Sequence, residues 1–332
     1  MAERKFLNVA KLGSMHLSTE DIELATPEEK EQLFIMRESV TYWKDASRRF
    51  RRNKVAVTAL IVIVLVVLFA FIGPLLSPFT YDMQLREFRN AGPSLEHPFG
   101  TDIHGRDMLV RCMIGARISL AIGVFCTILV VAIGTIYGSI SGYCGGIVDN
   151  IMMRIVEILY AIPDVLVIIL MQIAFKEPLT KLFSDSTLGP SMISIFIVFA
   201  LLYWIGMARM VRGQVLLLKQ MEYVTAARAM GAKGSRIILR HLIPNSIGVV
   251  LVTAMFQIPA AIFVEAFLSY IGLGVSAPMA SLGSLCADAI SGFRSHFHLL
   301  LFPAMLISLI ILAFNLVGDG LRDALDPRLR SD

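Results

Sequence analysis

At 332 residues, 56% hydrophobic and only 17% charged, with a mean hydropathy of +0.71, the chain is too apolar for a water-soluble domain of its length. Its net charge of +4 is small and sits where a membrane topology wants it, so it does not indicate a nucleic-acid partner. Uncharged runs of about twenty residues match the thickness of bilayer hydrocarbon as helices, and the chain reads as an all-α integral membrane protein.

Residues 1–54 form a polar tail, with no secretory signal peptide in it. It ends in TYWKDASRRFRRNK, where Tyr42, Trp43 and Phe50 among arginines and lysines suit a helix at the lipid headgroup level. The same cluster also serves as a plain orientation signal for the span that follows. Six spans are expected: Val55 to Gly73, Ile118 to Ile140, roughly 150–175, Ser191 to Ala208, Leu242 to Val264, and Leu299 to Gly318. Residues 55–76 hold the first helix and 77–110 a polar extracytoplasmic segment. Residues 111–319 make a core of five spans, and 320–332 a tail. Lysines and arginines set the orientation. With the N-terminus inside, about 22 of the 30 fall on the cytoplasmic side, so both termini and the 219–246 loop are expected there.

Within the second span Gly134, Gly138, Gly142 and Gly146 recur every four residues and put one bare face toward a neighbouring helix. The third span carries acids. Arg154 lies one turn before Glu157 and can pair with it. Asp164 follows Pro163, at a point where the helix can kink. An acid at membrane depth faces a cavity, pairs, or is protonated. Asp164 and Glu157 are therefore candidates for a polar pathway, with a structural hydrogen bond at a helix break as the alternative for Asp164. Gln257 and Glu265 in the fifth span pose the same question, Glu265 near the outer edge.

The four cysteines (Cys112, Cys126, Cys144, Cys286) have no CxxC spacing and read as thiols rather than metal ligands or a disulfide framework. His97, His104, His296 and His298 form no catalytic or metal-binding constellation.

Residues 222–245, EYVTAARAMGAKGSRIILRHLIPN, are a large polar insertion between two hydrophobic runs. The helix from the fourth span is expected to continue through TAARAM until Gly231 stops it. Ser235 is a candidate N-cap for a short second helix, which Pro244 ends. A short helix lying across the membrane face and tied to spans at both ends can pass a partner's motion into the bundle.

This stretch resembles the EAA loop of the membrane subunits of type I ABC importers, whose pattern is EAA, three residues, Gly, nine residues, IxLP. Ala226, Ala227, Gly231 and Pro244 fall in register, while Thr225 replaces the acid, His241 the Ile and Ile243 the Leu. Four further stretches, FGTDIHGRDMLVRCMIGARISLAIG, SGYCGGIVDNIMMR, EAFLSYIGLG and NLVGDGLRDALDPRLR, are similar to the C-type permease of peptide uptake systems. The resemblance covers about residue 40 to the end.

The resemblance implies a six-span type I ABC importer permease fold with a cytoplasmic coupling helix, in a prokaryotic cytoplasmic membrane. It implies a homologous B-type permease as heterodimer partner and two cytoplasmic ATPase subunits, which bind ATP and Mg. It also implies an extracytoplasmic peptide-binding protein, and makes residues 219–246 the ATPase-coupling loop. Glu222, Thr225, Ala226, Ala227, Gly231, Ala232, Ser235, Arg236, His241 and Pro244 are its candidate docking residues. The chain has no GxxxxGK[ST] loop, so no cofactor or enzymatic activity of its own is expected. The substrate expected is a di- or oligopeptide, with nickel or glutathione-like molecules as alternatives. A stand-alone secondary transporter would show an internal hydropathy repeat, which is not visible.

Overall fold

The structure is a computed structural model that describes residues 41–182, 190–275 and 279–326. The tail before residue 41 and residues 327–332 lie outside the described residues. By its internal contacts the chain divides after Asp45, and of the first unit only Thr41 to Asp45 is described. Among the described residues the regular elements are helices, joined by one isolated β-bridge between Thr101 and Asp107.

Helix α1 spans Tyr42–Arg52. Asn53 then caps the first membrane helix, α2 (Lys54–Phe71), its side chain accepting from the Ala56 backbone N–H at 3.1 Å. The second, α3, runs Met108–Cys144 and is N-capped by Asp107. It is longer at both ends than the run from Ile118 to Ile140. The expected third span is two helices, α4 (Gly146–Ala161) and α5 (Asp164–Leu182). The pair is bent by 85° at a break after Ala161, where Pro163 removes a backbone donor. The fourth span comprises α6 (Pro190–Leu202) and α7 (Trp204–Leu218). Then come α8 (Glu222–Ala229), a continuous α9 (Gly234–Tyr270), α10 (Leu282–Ile290) and α11 (His298–Leu325). Among the described residues five helices are long and apolar enough to cross a membrane, and the bent pair counted as one span makes six.

The small residues of α3 decide its packing. A Cβ on Gly134 would stand 2.6 Å from the Met207 Cβ, and one on Gly142 3.0 Å from the Arg212 carbonyl oxygen. The glycine face thus lies directly against α7. Gly146 does not belong to it: it opens α4 at φ +54° and meets nothing within 4 Å. A core of Ile122, Cys126 and Val130 (α3), Phe199 (α6) and Val211 and Val215 (α7) takes in Val224 and Ala227 of α8. A second core joins α2, α3, α9, α10 and α11 around Ile262, Leu282, Leu285 and Ile310.

Candidate functional site

The segment between α7 and α9 is anchored from within and open on its outer side. The helix does not continue from α7 into TAARAM, as its composition suggests, but breaks at Lys219–Met221. Lys219 turns its ammonium back to the Gly142 carbonyl at 2.8 Å, a tertiary contact no local propensity reports. Helix α8 follows with Glu222 in its first turn, where a carboxylate favours the helix dipole. Val224 is fully buried and Ala227 nearly so, while Thr225, Ala226 and Ala229 face out. Spacing of i and i+3 gives α8 one apolar face on the core and one free face.

Gly231 ends α8. Its φ of +79° is the left-handed conformation that a glycine reaches without strain. The Ala232 N–H bonds the Ala227 carbonyl at 3.1 Å and the Gly231 N–H bonds the Arg228 carbonyl at 3.0 Å, a Schellman closure. Ser235 is not the next N-cap. Lys233 occupies that position with no side-chain bond, and the helix already starts at Gly234. Pro244 does not end the helix either. Residues 238–242 form a π turn, Pro244 lies in the first turn of the α-helical part beyond it, and the wider ring accommodates the missing N–H. The segment is therefore one short helix and the N-terminal end of a span.

Two features fix this segment to the bundle. Arg228 lies over the Tyr143 ring at 5.7 Å, and Gly234 is so close to the same ring that a Cβ would meet it at 2.8 Å. Behind them, Arg212 makes a two-pronged bond to Asp149, 2.6 Å from each oxygen, and Ser141 also donates to Asp149. Together α3, α4 and α7 are held at the end that carries α8. The exposed side shows Met221, Met230 and Leu239, the last two 82% and 67% exposed, with Arg236 and Arg240 beside them. Three apolar side chains thus stand exposed in an otherwise polar segment. Ala232 and His241 are half-buried, and the Asn245 amide donates to the His241 carbonyl at 2.6 Å.

The structure does not gather the four pathway candidates. Glu157 pairs with Arg154 at 2.9 Å, both exposed, on a cavity of about 940 Å³ that Arg209 and Arg212 also line. Asp164 is exposed at the start of α5 and accepts from the Val165 N–H at 2.8 Å. Gln257 is half-buried on α9. Glu265, expected near the outer edge, is fully buried. It accepts from Ser119 on α3 at 3.2 Å and from Ser269 one turn on at 2.7 Å, which ties α3 to α9 beside the N-terminus of α10.

At the opposite end of α3 the polar segment is folded rather than loose. Asp102 accepts from the His104 and Arg106 backbone N–H groups at 2.8 and 2.9 Å and from the Arg106 and Arg111 guanidiniums at 2.7 and 2.6 Å. Burial pushes its carboxyl upward, but these donors outweigh it and hold it below the usual carboxylate range. Asp107 caps α3 through the Val110 N–H at 2.9 Å and holds the buried His97 ring at 2.7 Å. Gly105, at φ +75°, leaves room for the Leu85 carbonyl.

A family model described as the binding-protein-dependent transport system inner membrane component matches residues 134–331. The chain belongs to this permease family. A second model, the N-terminal TM domain of oligopeptide transport permease C, matches residues 41–93. The permease is 47% identical to the oligopeptide transport system permease protein OppC of Bacillus subtilis, over 89% of its own length and 93% of the relative. It is 45% identical to the dipeptide transport system permease protein DppC of the same organism, over 89% of each. The glutathione transport system permease protein GsiD of Pectobacterium atrosepticum is 38% identical, over 88% of this permease and 93% of the relative. The permease is thus a multi-pass membrane protein, and its fold class is that expected of a type I ABC importer subunit.

Proposed function

We propose that this permease is the C-type membrane subunit of an ATP-driven importer of di- and oligopeptides. It pairs with a homologous B-type permease to enclose the path, and an extracytoplasmic binding protein delivers the peptide. Two ATPase subunits bind ATP and Mg, and one of them docks on α8. The observation that carries this reading is the outward face of residues 221–240, apolar at Met221, Met230 and Leu239 while its inner face is fixed in the core. The peptide systems named in the relatives at 47% and 45% identity support the substrate class. The weaker 38% likeness to a glutathione permease makes that molecule the second reading.

The bias of Lys and Arg toward the α8 end supports placing that end, with both termini, in the cytoplasm. In the mechanism that follows, ATP binding draws the two ATPases together and pulls the docked α8 segments with them. Because α8 shares a core with α3, α6, α7 and α9, its movement tips those spans and exchanges the side on which the path is open. Hydrolysis resets them. Glu157 on its cavity and the exposed Asp164 are the pathway residues this reading favours, with Gln257 and Glu265 as further candidates on α9. The test is uptake of labelled di- and oligopeptides, glutathione and nickel by a deletion strain restored with this gene, and co-purification of the chain. Restored peptide uptake with two ATPase subunits in the purified complex is expected. Restored nickel or glutathione uptake alone, or a chain that transports with no ATPase present, overturns the reading.

A further inference from the structure

Of the five unbroken helices long and apolar enough to cross a membrane, the first is the least buried, with Leu60, Ile61, Val64, Leu65 and Leu68 of α2 all exposed. It meets α11 most tightly at Ala56 and Gly320, where a Cβ on the glycine would lie 2.2 Å from the Ala56 methyl. Beside this crossing a groove of about 310 Å³ runs between the two helices. Val62, Leu309, Leu312 and Leu316 form its walls, and Ala59 and Ala313 keep it open where larger side chains would close it.

The groove is apolar along its length and cationic at one end. Lys54 stands at its mouth, and Arg48, Arg51 and Arg52 on α1 are exposed next to it in sequence. None of these four forms an ion pair among the described residues. Asp319, Arg322 and Asp323 are exposed on the same end of α11, so these exposed residues amount to five cations and two acids. From Lys54 to Val62 the helix rises about 12 Å, most of one leaflet's share of a hydrocarbon layer about 30 Å thick. A hydrocarbon chain entering at the mouth therefore reaches nearly to the midplane while its head stays at the level of Lys54.

We infer that this groove is a binding site for an anionic phospholipid, one acyl chain lying between α2 and α11 and the phosphate resting on Lys54, Arg51 and Arg52. Apolar walls and an unpaired basic mouth match the two halves of such a molecule in order along one axis. The site goes beyond the coupling reading and does not depend on the transported substrate.

The test is native mass spectrometry of the full-length chain, purified in mild detergent with the subunits that accompany it, after adding dioleoyl phosphatidylglycerol or dioleoyl phosphatidylcholine. Preferential retention of phosphatidylglycerol is expected. Changing Arg51, Arg52 and Lys54 to Gln should weaken that retention about fivefold for each charge removed. Thr58→Phe, which fills the groove and leaves the cations in place, should displace the bound lipid. If the triple variant fails to assemble, Lys54→Gln alone must still show the fivefold loss. Equal retention of the two lipids, or retention unchanged in Thr58→Phe, overturns the proposal. So does a cross-link from Leu312→Cys to a partner subunit's helix seated in the groove.

Discussion

Gly138 lies so near Ala208 that a methyl group on it would stand 2.4 Å from the Ala208 carbonyl oxygen. Backbone cannot yield there as a flexible side chain can, so α7 must shift bodily. Gly138→Ala is expected to lower stability by about 1–3 kcal/mol, the usual cost of overpacking. Gly206→Ala, with nothing within 4 Å of the new atom, is the control. Thermal unfolding of the two purified variants in one detergent checks this, and equal midpoints would refute the close approach.

The Arg212–Asp149 pair joins α7 to α4 across 63 residues of chain, beneath the α8 segment. Removing the guanidinium leaves a nearly buried carboxylate whose remaining side-chain hydrogen-bond donor, among the described residues, is Ser141. Arg212→Gln is expected to cost about 1.5–3 kcal/mol, the worth of hydrogen bonds to a charged group. In a double-mutant cycle with Asp149→Asn, the second change should cost far less than it does alone. Additive losses would show that the two residues act independently.

Gly231 offers a graded test of the α8 closure. Its φ of +79° costs a β-branched residue about 1–2 kcal/mol, and Asn markedly less. Gly231→Val should leave the chain in the membrane at normal levels yet reduce both ATPase co-purification and uptake, with Gly231→Asn between it and the parent. Full uptake by Gly231→Val at normal membrane abundance would count against a docking role for α8.

Asp102 makes the folded segment before α3 sensitive to acid. Its carboxyl is held below the ordinary value of 3.8 in the folded state, so the stability it contributes is complete above that value. That contribution is lost as pH falls from there through the depressed one. Protease cleavage between residues 77 and 107 should therefore be flat down to about pH 5 and rise steeply below pH 3.8. Asp102→Asn should be cleaved faster throughout and lose that extra rise. An unchanged pH profile in the variant would assign the transition to other acids.

The spans were readable because an uncharged run of some twenty residues is too costly to leave in water and long enough to cross lipid. The glycine face of α3 was readable because four-residue spacing is a geometric statement in a helix. Gly231 was equally plain, since a glycine after a run of strong helix formers is a stop. What escaped depends on residues far apart in the chain. The break before α8 contains no glycine or proline and is set by Lys219 reaching Gly142. The burial of Glu265 requires Ser119, 146 positions away. Ser235 and Pro244 carry the right residue types for a cap and a stop. The π turn between them merges both into one continuous helix, which local rules do not anticipate. Asp102, four residues before Arg106, and Asp107, just before a long apolar run, were visible signals of a folded cap in a segment that composition marks only as polar.

Helix α3 contains 37 residues and no proline. At 1.5 Å per residue it is about 55 Å long, against a hydrocarbon layer of about 30 Å. The helix is thus longer than the layer is thick, with one end at the Asp102–Asp107 fold and the other, at Tyr143, against Arg228 and Gly234. If the helix moves as a body, a turn of about 5° around its centre carries each tip about 2.4 Å in opposite directions. Such a turn would join any movement of the Asp102–Asp107 fold to an opposite movement beside the α8 segment.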